Sequence, residues 1–209
     1  MGCDINEDMV DHANRHHRDE RTTFCQLDIE GDLAEQLHNV FDHAFSFFVL
    51  HWVRDQRRAF TNIFNLLTPG GDTLNIFLTQ MPLFDTFRIL SRYEKWKSLM
   101  WNVEKYISPY HDSKEPEREV REMLEQIGFK NVKVTSYRRK FGFDNIAAMN
   151  RFQQAVNPFK IPDNRIEEYN NDYLDVLWKM KLLDKQHYSP TEPVSINGGY
   201  GIIVAYGSS

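Results

Sequence analysis

Residues 41–79 read FDHAFSFFVLHWVRDQRRAFTNIFNLLTPGGDTLNIFLT. Phe41 to Leu50 is a near-continuous apolar run, as expected for a parallel strand buried on both faces. From Gln56 to Leu67 the residues Ala59, Phe60, Ile63, Phe64 and Leu67 recur at the spacing of one helix face, and Pro69-Gly70-Gly71 stops that helix. Asp72 to Thr79 then places Leu74, Ile76 and Leu78 on alternate positions, the pattern of the next strand. Strand, helix, strand at these intervals is the repeating unit of a parallel α/β sheet.

Toward the N-terminus the same alternation continues. Met1 to Ile5 reads as the end of a strand, and Asn6 can cap a helix that carries Glu7 and Asp8 in its first turn. Thr22 to Leu27 looks like a second short strand, and Leu33 with Leu37 gives a short amphipathic helix. Beyond Pro82 comes a long helical stretch dense in aromatics (Phe84, Phe87, Tyr93, Trp96, Trp101, Tyr106), which reads as an insertion over the sheet edge. Spacing alone allows these rings to be ordinary helix-packing core or the wall of an apolar channel. Glu115 to Gln126 is helical with Val120, Met123, Leu124 and Ile127 on one face, and Gly128-Phe129 ends it ahead of a strand around Val132 to Tyr137. Helices are expected over Asn145 to Val156 and Asp163 to Leu183. A final strand over Ile196 to Tyr206 carries Gly198, Gly199 and Gly201, whose small size suggests a bend or a close backbone contact.

Composition narrows the function. The 209 residues are 41% hydrophobic, enough for one sizeable core and hence a single domain over 1–209. The formal charge is -5 and no block of Lys or Arg stands clear of acids, so nucleic acid is not expected as a partner. No run approaches the roughly 20 apolar residues of a membrane span, and the polar, acidic N-terminus does not read as a secretory signal. A soluble, cytoplasmic protein is expected, with Cys3 and Cys25 as buried reduced thiols, too few and too widely spaced for a disulfide framework.

In an open parallel sheet, ligands bind beyond the carboxyl ends of the strands, which singles out Asp4, Asp28 and the stretch Ser46 to Trp52. An acid after one strand can accept both hydroxyls of a ribose, and an acid after the next can accept the exocyclic amine of an adenine; an Asp beside a helix start can equally serve as a cap. His16-His17 with Asp19 and Glu20, and His111-Asp112, hold metal-ligand residue types without a ligand spacing, so they read as solvated surface and no metal is expected. Asn157-Pro158-Phe159 reads as a helix stop. The chain has no G-x-S-x-G elbow and no H-E-x-x-H pair, so hydrolase readings lapse.

The composite G-C-D-I-x-x-x-M-V (from Gly2), L-D-I-E-G-D-L (Leu27 to Leu33), F-D-H-x-F-S-F-x-x-L-H-W (Phe41 to Trp52) and N-I-F-N-L-L (Asn62 to Leu67) resembles insect juvenile hormone acid methyltransferases. Glu94-Lys95-Trp96, I-S-P-Y-H-D from Ile107, Asn157 to Phe159 and Leu182 to Asp184 extend the similarity over nearly the whole chain. The resemblance implies an α/β, class I methyltransferase (Rossmann-like) fold with a mostly parallel sheet and helices on both faces. It also implies transfer of a methyl group from S-adenosyl-L-methionine to the carboxylate of a small-molecule isoprenoid acid, farnesoic acid or juvenile hormone acid. Carried over by motif, Asp4 would bind the cofactor ribose, Ile5 and Ile29 would sandwich its adenine, Asp28 would hold the amine, and Ser46 would approach the methionine end. Trp52 would point its indole N–H at the substrate carboxylate. His51 would shape that pocket, unless it packs only for structure.

On this basis 1–80 is the cofactor-binding part, 81–128 and 144–190 are helical substrate-covering parts, and 130–142 and 194–206 are the C-terminal strands. The family also carries, ahead of the position matching Met1, a segment with the first strand and its glycine-rich loop. Its lack here, expected from a truncated gene model or a short splice form, should leave two strand edges unpaired and a hydrophobic trough exposed. A homodimer is compatible with the resemblance. Two other readings stay open at this point: a methyltransferase for another small or fatty acid, and a catalytically silent terpenoid-binding or partner protein.

Overall fold

The computed structural model describes residues 1–185, 187–189 and 191–209. Gln186 and Pro190, at the end of the second expected covering part, lie outside the described residues. The first strand, β1 (Gly2–Asp4), runs into α1 (Glu7–His16), where the Asn6 side chain accepts from the backbone N–H of Asp8 and Met9 as its sequence position predicts. β2 (Phe24–Gln26) returns parallel to β1 and pairs Cys25 with Cys3. The two thiols are therefore cross-strand neighbours with sulfurs 3.5 Å apart, and Cys3 is exposed, which corrects the expectation of buried cysteines.

The predicted strand–helix–strand unit appears as β3 (Phe41–Phe47), α2 (Gln56–Leu66) and β4 (Leu67–Leu78), with β3 and β4 parallel. The helix ends one residue early because Leu67 already pairs with Phe41, so Pro69-Gly70-Gly71 lies inside β4. There a register shift between Phe41 and His43 accommodates it. Then follow α3 (Pro82–Leu90), α4 (Pro116–Ile127), β5 (Lys130–Phe143), α5 (Ile146–Val156), α6 (Ile166–Lys179) and β6 (Val194–Ser208). β6 lies antiparallel between β4 and β5, giving a four-stranded mixed sheet in the order β3-β4-β6-β5 beside the two-stranded β1-β2 sheet.

Alternate residues of these strands serve two cores. Phe77, Val134, Ile203 and Ala205 face α2 and α4, where Phe60, Ile63, Val120 and Leu124 meet them. Leu78, Val194, Ile196 and Ile202 belong instead to the cluster built by α3, α5 and α6. The glycines of β6 behave as expected: a Cβ on Gly199 would sit 2.3 Å from the Arg139 carbonyl oxygen, and one on Gly201 would sit 2.5 Å from Thr79 Oγ1. Among the described residues no helix is long and apolar enough to cross a membrane.

Several expectations need correction. The run from Phe41 to Leu50 is not buried on both faces: Phe45 is 64% and Phe47 52% exposed. Among the described residues β3 pairs only with β4, and the Phe45 and Phe47 rings stack on one another along an uncovered face (6.1 Å), while Ala44 opposite meets the α2 core. Leu33 and Leu37 do not build an amphipathic helix; only a 3-10 turn, Glu35–Leu37, forms there, with no residue buried. The aromatic stretch after Pro82 is not one long helix but nine residues of α3, then successive turns and a 3-10 segment, Val103–Tyr106. Phe84, Phe87 and Trp96 are fully buried core, whereas Trp101 is 80% exposed. The last expected helix divides into a 3-10 turn, Asp163–Arg165, and α6, and β5 and β6 both run longer than predicted.

Candidate active site

β1 and β2 are parallel, so their carboxyl ends open on the same rim. There the Leu27 N–H donates to the Asp4 carbonyl and Gln26 Nε2 donates to the Ile5 carbonyl, both at 3.0 Å, holding the two exits side by side. Asp4 uses Oδ1 to accept the Asn6 N–H (2.8 Å), and Asp28 uses Oδ1 to accept the Glu30 N–H (3.0 Å). Each carboxylate thus closes its own turn with one oxygen, as the capping alternative requires. Its Oδ2 has no hydrogen-bond partner among the described residues. Ile5 beside Asp4 is exposed, and Ile29 beside Asp28 is half-buried against the α2 core.

Side chains that the motifs contained, but to which no role was given, carry this rim to the main sheet. Glu30 Oε2 accepts the backbone N–H of Arg54 (3.0 Å) and of Asp55 (2.8 Å). Buried Asn62 donates from Nδ2 to the carbonyls of Ile29 and Gly31, 2.8 Å each. The Asp28 turn is therefore fastened beside the turn that holds Trp52. A polar residue within an otherwise apolar helix face, as Asn62 is, was the available signal.

Beyond β3 the chain turns sharply at Phe48, whose φ is +57°, into a 3-10 turn, Leu50–Trp52. Gln56 pins that turn by donating Nε2 to the Leu50 and Val53 carbonyls at 2.6 and 2.8 Å. His51 is buried and Trp52 half-buried, with ring centroids 4.7 Å apart. Burial pushes the His51 pKa down to about 3, so the imidazole is neutral, and its Nδ1 has no hydrogen-bond partner. The Trp52 indole N–H likewise has none among the described residues. Ser46, half-buried near the carboxyl end of β3, stands opposite Asn75 of β4, whose buried Oδ1 is also without a donor. Asp4, Ile5, Asp28, Ile29, Ser46, His51 and Trp52 all lie at or just beyond the carboxyl ends of strands.

His111 is not the solvated surface residue expected. It is buried, its Nδ1 accepts the Met81 N–H (3.4 Å), and its Nε2 donates to Asp85 Oδ1 (2.9 Å). Its ring stands edge-on to Phe84, which in turn meets Trp52. The partner lies 26 residues away, so no local pattern announced it. Asp112 does stay at the surface, paired with Arg88, whose other contact is Glu104. These bonds push the guanidinium pKa up and both carboxyls down. Exposed His16 and His17 cluster with His12. Among the described residues no group of three or more His, Cys, Asp or Glu is arranged to hold a metal ion.

The profile of the Methyltransferase domain family matches residues 1–73. Over 206 residues the chain is 47% identical to the juvenile hormone acid O-methyltransferase of Bombyx mori, spanning 99% of this chain and 74% of that protein. The chain belongs to the juvenile hormone acid O-methyltransferase family. The Drosophila melanogaster protein of the same name is 36% identical, with 99% of this chain and 70% of that one covered. Among solved structures, the Haemonchus contortus phosphoethanolamine N-methyltransferase 2 in complex with S-adenosyl-L-methionine superimposes with a TM-score of 0.53 at 16% identity, over 100% of this chain and 42% of that one. That likeness bears on fold alone. The family member described here is thus an O-methyltransferase of the class I fold.

Proposed function

We propose that this methyltransferase esterifies the carboxylate of a sesquiterpenoid acid, with S-adenosylmethionine as methyl donor. The observation that carries the reading is the indole N–H of Trp52, left without a protein partner at the rim where the Asp28 turn is fastened. The residues fit a bound nucleoside: Asp4 and Asp28 each keep one carboxylate oxygen free, and Ile5 and Ile29 supply apolar surface beside them. Asp4 would hold the ribose, Asp28 the adenine amine, and Ser46 would meet the methionine end.

When bound, S-adenosylmethionine supplies a methyl group already activated by its sulfonium. A carboxylate is ionised at neutral pH, so the chain needs no general base. Its contribution is placement and exclusion of water. Holding nucleophile and electrophile in line can be worth roughly 7 to 11 kcal/mol. Trp52 orients the carboxylate by donating its N–H, and neutral His51 offers the same pocket a polar edge without a competing charge. The reading includes action in the cytoplasm, by the chain alone or as a homodimer. Membership of this family favours it over a silent binding protein.

The test is turnover of farnesoic and juvenile hormone acids with labelled methyl donor. Trp52→Phe, which keeps a ring but deletes the donor, should lower kcat/KM by about 10- to 100-fold. Asp4→Ala should chiefly weaken binding of S-adenosylhomocysteine. Unchanged values in both variants would overturn the assignment.

A further inference from the structure

β1 and β2 put the chain's two cysteines on directly opposed positions of adjacent parallel strands, Cys3 against Cys25. Neighbouring strands lie about 4.8 Å apart, inside the range of about 4.4–6.8 Å that a disulfide spans between Cα atoms. The two side chains also point the same way, since their sulfurs approach to 3.5 Å. Closing that distance to a bond length of about 2 Å needs only a small adjustment. Neither strand resists one, because each is three residues long and no residue of either is buried. Cys3 is exposed, so an oxidant reaches the pair from solvent. At neutral pH the Cys3 thiol keeps its proton, because partial loss of water around its sulfur and the neighbouring Cys25 push its pKa up to about 12.

We propose that Cys3 and Cys25 form a reversible disulfide site, a staple across β1 and β2 that a low-molecular-weight disulfide such as oxidised glutathione closes and a dithiol opens. One cysteine, as its thiolate, attacks the S–S bond of the oxidant; a mixed disulfide forms, and the released thiolate takes up the proton. The second cysteine then loses its own proton and displaces the remaining half of the oxidant as a thiol. Together the two protein sulfurs give up two electrons, and the oxidant is reduced to two thiols. The bond closes a loop between residues 22 apart in sequence, with α1 inside it. It removes freedom from the part of the chain that no ladder joins to the four-stranded sheet. Asp4 directly follows Cys3 and Asp28 closely follows Cys25, so the staple fixes the base of the rim that both carboxylates share.

Incubation of the folded chain with oxidised glutathione, followed by alkylation and intact-mass measurement, tests the site. The expected product is a monomer lighter by about 2 Da, closed to alkylation and restored by dithiothreitol. Amide exchange through 7–16 should slow by about 10-fold in that product and recover on reduction. Cys3→Ser should show neither the mass loss nor the slowing, and Cys25→Ala gives the same reading should Cys3→Ser fail to fold. A chain that ends with glutathione on both cysteines, or as a disulfide-linked dimer, would overturn the proposal. Two thiols still free would overturn it as well, showing that the contact is only a weak S–H···S hydrogen bond. A bond formed without any slowing of exchange would overturn the stapling role. No readout uses methyl transfer, so failure here leaves acid methylation standing, and failure of acid methylation leaves the staple standing.

Discussion

Trp52 meets Phe84 edge to face, with ring centroids 6.0 Å apart and planes at 88°. Phe84 is fully buried and is itself held by His111, so the first turn of α3 sets the attitude of the indole. Phe84→Ala should cost about 3–5 kcal/mol in unfolding free energy. Phe84→Leu should cost about 1 kcal/mol and leave a folded enzyme whose kcat falls while S-adenosylhomocysteine binds as before. Denaturant titration and steady-state kinetics on the pair separate packing from orientation.

His51 makes stability depend on pH. Its folded pKa lies near 3 against 6.5 for the free group, so between those values the unfolded chain binds the extra proton. Stability is lost as pH falls through this window, by about 1.4 kcal/mol for each unit from this group alone. His51→Leu should flatten the acid limb of a plot of unfolding free energy against pH from 7 to 4. An unaltered slope would show that the imidazole is not held neutral.

The indole of Trp96 is fully buried and donates Nε1–H to Asp172 Oδ2 at 2.6 Å, while Lys95 pairs with the same carboxylate and Arg165 lies 4.1 Å over the ring. Asp172→Ala strands the N–H and should cost about 1–3 kcal/mol. Asp172→Asn keeps an acceptor and should cost less. Thermal unfolding would rank the two.

Two glycines with positive φ make an internal comparison. Gly199 (φ +63°) sits against the Arg139 carbonyl, whereas Gly70 (φ +87°) has open space where a Cβ would go. Gly199→Ala should cost about 2–3 kcal/mol, and Gly70→Ala only about 1 kcal/mol. Equal losses measured by chemical denaturation would show that the steric clash is relieved by movement of β5.

The unit spanning 41–79 was legible because helix and strand impose different periods on their apolar residues, and Asn6 because a cap has a fixed place relative to the helix it opens. The shared rim of Asp4 and Asp28 was legible because the carboxyl ends of parallel strands lie side by side. The exposure of Phe45 and Phe47 was not legible: an apolar run tells how a strand is built, not which neighbours stand beside it. His111 escaped for the related reason that its burial depends on Asp85, a partner brought near only by the fold. Glu30 escaped because its two bonds go to backbone N–H groups, which leave no trace in side-chain identity.

β1, β2 and α1 share no ladder with the four-stranded sheet, and Glu30 and Asn62 fasten them to it. That small layer is therefore a separately fastened clasp on the larger sheet. Warming or mild chaotrope should release it first, seen as faster amide exchange through 2–26 than through 72–78, while the four-stranded sheet keeps its shape. A molecule gripping both layers would latch the clasp, so donor binding should slow exchange most in the layer that contributes least to the core.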